Sequence, residues 1–422
     1  MKRLSHIVGV AVGIALLGAA LTAQRSAANF EPPEPSGPFP VGTTSWVVTD
    51  TARQDPFAPG QPRQVRVVAW YPAIHVRDGR LAPYLREGIE EVRAYARSRA
   101  IPGEMDGFRS VFGHAVLDGP PADKNTFPLL VFSHHYASVP SAYTLLIENL
   151  ASHGYIVLSL VHPFEATAAT RADGSVVTLL DEGGRVRPGV QAVIEERAGE
   201  EAMLARLQAT DDHEAQLRIL RPFLQAAPAV NLALRRWVDD TKAVLDQLKS
   251  LPTATAAGRV AAKADPARVG VFGHGFGGLV AGQFCVEDAR CRAGLNLDGS
   301  PQYGTMIDHP LSRPFLMVYS DRDRRPGSSA AIYQRSTSTY YRVEVHETLL
   351  ADFTDMGFWR GPLRAQGIFG PIAPLAAVGI TRRIAREFFD QELLGRRSDL
   401  LAGRQKWAWE QVSVEVYRPA RR

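Results

Sequence analysis

Short apolar runs closed by turn residues alternate with amphipathic stretches along most of the chain, and the two periods predict its elements. Leu129-Leu130-Val131-Phe132 is continuously apolar, as a strand covered on both faces should be. Val65 to Tyr71 is rich in β-branched residues and reads as another strand. Ser141 to His153 has helical spacing, ends at Gly154 and feeds a second buried strand, Tyr155 to Val161. A helix over Trp237 to Leu248 precedes the strand Arg268 to Phe272, and Ala293–Leu297, Phe315–Tyr319 and Arg342–Val345 are further strands. A long helix, Leu375 to Leu394, follows Pro374, whose missing N–H costs nothing at a helix start. The C-terminal tail carries Val412 to Val416. Strand–helix alternation of this kind predicts an α/β fold, a mostly parallel central sheet with helices on both faces.

Two regions fall outside that alternation. Residues 165–232 form an insertion between the strands ending near Val161 and starting near Arg268. Its helical part, Gln191 to Leu224, is either a cap over the edge of the sheet or a solvated excursion. At the other end, residues 24–40 form a lead-in whose Pro-rich part, 30–40, is too stiff and polar for a core. The segment before it reads as an export signal over residues 1–23. Met1-Lys2-Arg3 is positive, Ile7 to Ala20 is apolar without charge, and cleavage after Ala23 fits the small residues there. The expected location is therefore periplasmic or secreted, an uncleaved membrane anchor being the alternative.

Composition narrows the class without choosing a function. The 422 residues are 45% apolar and 22% charged, which excludes a small disulfide scaffold, a coiled coil and a largely disordered chain. Removing Lys2 and Arg3 from the 48 basic residues leaves 46 against 44 acidic, and no basic block stands out, so no nucleic-acid partner is expected. Cys285 and Cys291 either close a short disulfide loop in an oxidising compartment or remain two buried thiols. Two cysteines make no metal site, and neither a metal nor a cofactor is expected.

The sharpest local signal is Arg268-Val269-Gly270-Val271-Phe272-Gly273-His274-Gly275-Phe276-Gly277-Gly278. An apolar strand runs into a Gly-rich turn and a small-residue helix start, the frame of a G-x-S-x-G nucleophile elbow. Its tip is Gly275, which has no side chain with which to attack an ester. Gly273, Gly275 and Gly278 also spell G-x-G-x-x-G, with Asp298 twenty residues on, so a dinucleotide-binding turn is a distant alternative.

Further segments place this frame in a larger series. In chain order they are Pro40-Val41-Gly42-Thr43-Thr44, Ala69-Trp70-Tyr71-Pro72-Ala73, Val131-Phe132-Ser133-His134 and Leu150-Ala151-Ser152-His153-Gly154-Tyr155. His162-Pro163-Phe164, the elbow frame, Asn296-Leu297-Asp298-Gly299 and Asp352-Phe353-Thr354-Asp355 complete it. With these, nearly the whole mature chain resembles the platelet-activating-factor acetylhydrolase-like family of α/β-hydrolases, serine esterases of the lipase type.

The resemblance implies an α/β-hydrolase fold, hydrolysis of carboxylic esters including short-acyl phospholipids, and a Ser–Asp–His triad acting by acyl transfer. It carries the acid to Asp298 and the oxyanion donors to the backbone of Phe276 and Tyr136. The remaining positions depart from the family. The serine is Gly275, and Ser-His-Gly reads Ser133-His134-His135, losing a glycine beside the substrate. The histidine position, two residues before Asp352, is Leu350. His346, at a strand end, is an alternative base. His274 and His162 read as structural, and Ser133 and Ser300 as stray hydroxyls near the site. The expectation is a ligand-binding pseudoenzyme for a small acyl ester or lipid, with loose contact to a lipid surface open and no oligomeric state implied. The alternative is an active ester hydrolase using water or a non-standard nucleophile with Asp298 and His346 or His162.

Overall fold

The computed structural model of the chain describes residues 31–419 except 104, 208, 211, 301–302, 322–331, 333–334 and 360–365. The expected export signal and the first residues of the lead-in lie outside the described residues. Strands β1 (Val41–Gln54), β2 (Pro62–Pro72), β3 (Leu81–Pro83) and β4 (Phe112–Leu117) come first, with helix α1 (Glu90–Ser98) before β4. Then follow β5 (Phe127–Ser133), α2 (Thr144–Ser152) and β6 (Ile156–Val161). After them the insertion holds a small hairpin, β7 (Ala168–Thr170) and β8 (Val176–Thr178), and helices α3 (Pro188–Arg197), α4 (Glu200–Leu207) and α5 (His213–Gln225). The chain returns through α6 (Pro228–Gln247) and α7 (Ala256–Ala261) to β9 (Ala264–His274), α8 (Phe276–Glu287) and β10 (Cys291–Leu297). It closes with β11 (Phe315–Tyr319), β12 (Tyr340–Val345), α9 (Pro374–Leu394) and β13 (Val412–Tyr417).

Among the described residues eleven strands form one sheet in the order β13-β12-β11-β10-β9-β5-β6-β2-β1-β4-β3. The run from β12 to β6 is parallel, while β13, β2 and β3 each pair antiparallel with a neighbour. Period-two alternation divides the core. Leu129 and Val131 of β5 pack under α6 and α8, whereas Leu130 and Phe132 pack under α2 and α9. Truncating a fully buried aromatic of this kind, such as Phe272, costs about 3–5 kcal/mol. Helix α8 is buried on all sides from Phe276 to Cys285, so its sequence lacks the polar face a surface helix would show.

The expected helix over Ser141 to His153 divides in two. Pro140 opens a 3₁₀ turn, Pro140–Tyr143, and α2 starts at Thr144. Helix α6 begins at Pro228, inside the expected insertion, nine residues before Trp237. The described part of the Pro-rich lead-in is strapped down. Gly37 N–H donates to Ser152 Oγ (3.0 Å), Phe39 N–H donates to Ser152 O (3.1 Å), and the Phe39 ring packs edge-on against Phe127. Ser152 comes so close that a side chain at Gly37 would collide with its backbone.

A buried ionic cluster ties the insertion to the sheet. The Arg63 side chain, 1% exposed, donates to Asp55 (3.1 Å), Glu165 (3.1 Å) and Asp240 (2.7 Å). Arg236 adds a second donor to Glu165 at 2.6 Å, and His162 Nδ1 meets Asp240 at 2.8 Å. Burial works against the charges on Asp240 and Glu165, but Arg63, Arg236 and His162 hold both carboxyls below their ordinary range. The cluster joins the β1–β2 hairpin, the loop after β6 and α6.

Candidate active site

Parallel register brings three strand ends to one edge. Ser133 of β5 lies beside Gly273 of β9, and His274 lies beside Leu297 of β10. Gly275 follows with φ 53° and ψ −114°, a conformation glycine adopts readily, and α8 starts at the next residue. The close meeting of strand and helix requires the neighbouring glycines. A Cβ at Gly277 would enter the Ser133 backbone, and one at Gly278 would enter the Asn296 side chain. These faces are covered by protein, so the glycine spacing is explained by packing at the elbow.

The acid position sits against that elbow. Gly275 N–H donates to Leu297 O at 2.8 Å, directly before Asp298, and Gly299 packs on the Gly275 carbonyl. Asp298 is buried with φ 52°, and its carboxylate accepts from Ser320 N–H (2.9 Å) and Ser320 O–H (2.8 Å). Leu350 opens a 3₁₀ turn, Leu350–Phe353, and faces the same cavity as His135 and Tyr136. His346 lies elsewhere. Its Nδ1 meets the Asp321 carboxylate at 3.1 Å and its side chain is 39% exposed.

His135 supplies the feature that sequence reasoning missed. Its Nδ1 accepts the Phe276 N–H at 3.2 Å, the backbone donor that the family pattern assigns to the oxyanion. A Cβ built on Gly275 would stand 2.9 Å from His135 Cε1 and Cγ, and closer still to Nδ1. The imidazole therefore occupies the space that a serine side chain would enter. Accepting at Nδ1 also leaves the ring proton on Nε2 in the neutral form.

The loop carrying His135 is fixed from both sides. The neighbouring His134 is buried, and burial pushes it down to about 3, so it is a neutral ring that meets the His135 carbonyl at 2.7 Å. Ala137, at φ 55°, donates its N–H to Glu165 O at 2.9 Å, which links the loop to the Arg63 cluster. His135 N–H donates to Tyr143 Oη (3.1 Å), and Tyr143 Oη meets His274 Nδ1 (2.9 Å). His274 Nε2 in turn meets Leu350 O (2.9 Å). With Tyr143 donating to Nδ1 and Nε2–H to the carbonyl, one chain of hydrogen bonds joins positions 135 and 350.

The remaining sequence candidates fall around this centre. Tyr136 packs its ring 5.1 Å from that of Phe276 and lines the cavity. His162 is stacked on Trp237 at 3.7 Å and held by Asp240, within the ionic cluster. Ser133 ends β5, its carbonyl against Gly277. Ser300 donates to Glu200 of α4 at 2.8 Å, a contact between insertion and site with no local sequence signature. Cys285 and Cys291 are joined by a disulfide between α8 and β10. Among the described residues no group of three or more His, Cys, Asp or Glu is placed to hold a metal ion.

Helices α3 and α4 roof a cavity of about 720 Å³ over the elbow, through Ile194, Arg197, Ala198, Glu200, Leu204 and Ala205. This helical part of the insertion thus lies over the sheet edge. Among the described residues no helix is long and apolar enough to cross a membrane.

Sheet order and the strand–turn–helix elbow together define an α/β-hydrolase fold. A solved ferulic acid esterase from Streptomyces cinnamoneus is similar at 25% identity and TM-score 0.68, covering 92% of this chain and 99% of that one. The family model for platelet-activating factor acetylhydrolase, isoform II, matches residues 26–395, and the chain belongs to that family. Among curated relatives, a probable 1-alkyl-2-acetylglycerophosphocholine esterase of Arthroderma benhamiae is 26% identical over 64% of this chain and 59% of its own length. The platelet-activating factor acetylhydrolase of Cavia porcellus is 25% identical over 63% and 58%. The matches thus span about three-fifths of the length of these relatives.

Proposed function

We propose that this chain is an exported, ligand-binding member of its esterase family in which serine-ester chemistry has been lost. The observation carrying this reading is His135. Its ring takes the Phe276 N–H and fills the space beside Gly275, so the place of a nucleophile side chain and one oxyanion donor are occupied together. The base position, Leu350, has no proton to exchange. Removing a triad serine costs on the order of 10⁶-fold in a serine protease, and the residual catalysis there rests on binding and an oxyanion hole. In this chain one of the two expected oxyanion donors is already engaged.

What remains suits binding. The roofed cavity keeps an apolar wall and a few polar groups, the ordinary make-up of a small-molecule site. A small acyl ester or lipid is the ligand class that the family relationship supports. The disulfide and the apolar N-terminal run support export.

The test is turnover of p-nitrophenyl acetate by the purified mature protein, with Asp298→Ala beside it and a fluorophosphonate probe for hidden nucleophiles. The expected result is no turnover above background and no label. Turnover that disappears in Asp298→Ala would overturn the reading.

A further inference from the structure

The cavity over the elbow has an unequal supply of hydrogen-bonding groups. Among the described lining residues the one carboxylate, Glu200, is buried and engaged at both oxygens: Oε1 accepts from Arg197 Nε (2.7 Å) and Oε2 from Ser300 Oγ (2.8 Å). Arg197 and Glu200 therefore match each other in charge. Arg99, on the wall beyond the end of α1, stacks its guanidinium 5.1 Å from the Tyr95 ring centroid and makes no ion pair among the described residues. It leaves the described lining with one unmatched positive charge. His135 lines the same cavity with its Nδ1 taken up by the Phe276 N–H. Beside the Arg99 guanidinium stand the aliphatic walls of Ile194, Leu204 and Leu350.

An unmatched guanidinium beside an aliphatic wall suits a ligand with an anionic head and an apolar chain. From this we infer that the cavity selects a medium-chain carboxylate over the corresponding neutral ester, with Arg99 as the residue that discriminates. The inference rests on the ligand-binding reading above and deepens it. The preferred ligand is then a carboxylic acid, the product type of ester hydrolysis, and not an ester. Because Arg99 is exposed, solvent and salt screen the preference, which is expected at about five- to tenfold in low salt and much less at 0.5 M NaCl.

The experiment is calorimetric titration of the mature protein with decanoate, methyl decanoate and decyltrimethylammonium, the two ions below their critical micelle concentrations and the ester below its solubility limit. The expected order is carboxylate, then ester, then ammonium, with Arg99→Gln bringing carboxylate down to the affinity of the ester. Equal binding of decanoate and methyl decanoate by the native protein would overturn the inference while leaving the ligand-binding reading in place. A preference that survives in Arg99→Gln would overturn the assignment to Arg99. Binding of none of the three would remove the ligand-binding reading and the inference with it.

Discussion

The imidazole of His135 and the backbone N–H of Phe276 are joined by a 3.2 Å hydrogen bond across the tip of the elbow, at the place where Gly275 leaves room for the ring. Glycine at 275 and histidine at 135 are therefore sterically coupled. A side chain at 275 requires His135 to leave, and a glycine at 135 would uncover the Phe276 N–H.

This coupling has a thermodynamic signature separate from catalysis. Gly275→Ser places a Cβ at positive φ and against the imidazole, so it should destabilise by about 1–3 kcal/mol. His135→Gly alone should also destabilise, through lost contacts and a less restricted loop. In the double variant the two effects should not add, the shortfall being about 1 kcal/mol or more. Urea unfolding of the four proteins measures it; strict additivity would show that ring and serine do not compete for space.

The hydrogen-bond chain from His135 through Tyr143 and His274 to Leu350 makes a second prediction. Tyr143→Phe removes the hydroxyl that accepts from His135 N–H and meets His274 Nδ1, stranding two polar groups in a largely buried region. The expected loss is about 1–3 kcal/mol in chemical denaturation, with the fold retained. An unchanged midpoint would mean that the chain does not hold the site's backbone.

Much of the frame was legible before any coordinates. Gly273, Gly275 and Gly278 mark the meeting of β9 and α8 because small residues at fixed spacing are a local requirement. The buried strands showed as apolar runs for the same reason. The family resemblance pointed to Asp298 in the turn after an apolar strand, which is where β10 ends, and to the missing glycine in Ser133-His134-His135. What that lack does was not legible. The contact between His135 and Gly275 spans 140 positions and depends on where one ring points. The reach of Glu200 to Ser300, from a helix whose pattern only suggested a cap, is equally non-local. The antiparallel outer strands were under-read because their alternation is short or, in β1, half-exposed.

Asp355 gives a pH-dependent prediction. Burial pushes its carboxyl up to about 7, against the hydrogen bonds it accepts from Leu145 N–H and Tyr84 O–H, both 3.1 Å. Between the ordinary value of 3.8 and about 7 the folded chain holds a proton that the unfolded chain has released. Its contribution is complete below about pH 4 and falls as pH rises, by up to about 1.4 kcal/mol per pH unit in that window. Asp355→Asn keeps an acceptor for both donors and removes the titration. Denaturation midpoints from pH 4 to 8 should fall less steeply in the variant than in the native protein. Parallel curves would refute the assignment.

The most direct test of the central claim is turnover of a short-chain acyl ester by three proteins: native, Gly275→Ser with Leu350→His, and that pair with His135→Gly. A blocked but otherwise intact esterase frame predicts no turnover from the native chain and little from the pair, whose new serine meets the imidazole. The triple variant should gain about 10²-fold or more over the pair, the magnitude associated with regaining an oxyanion donor. Equal activity in pair and triple would contradict the account, since His135 would then obstruct neither the serine nor the Phe276 N–H.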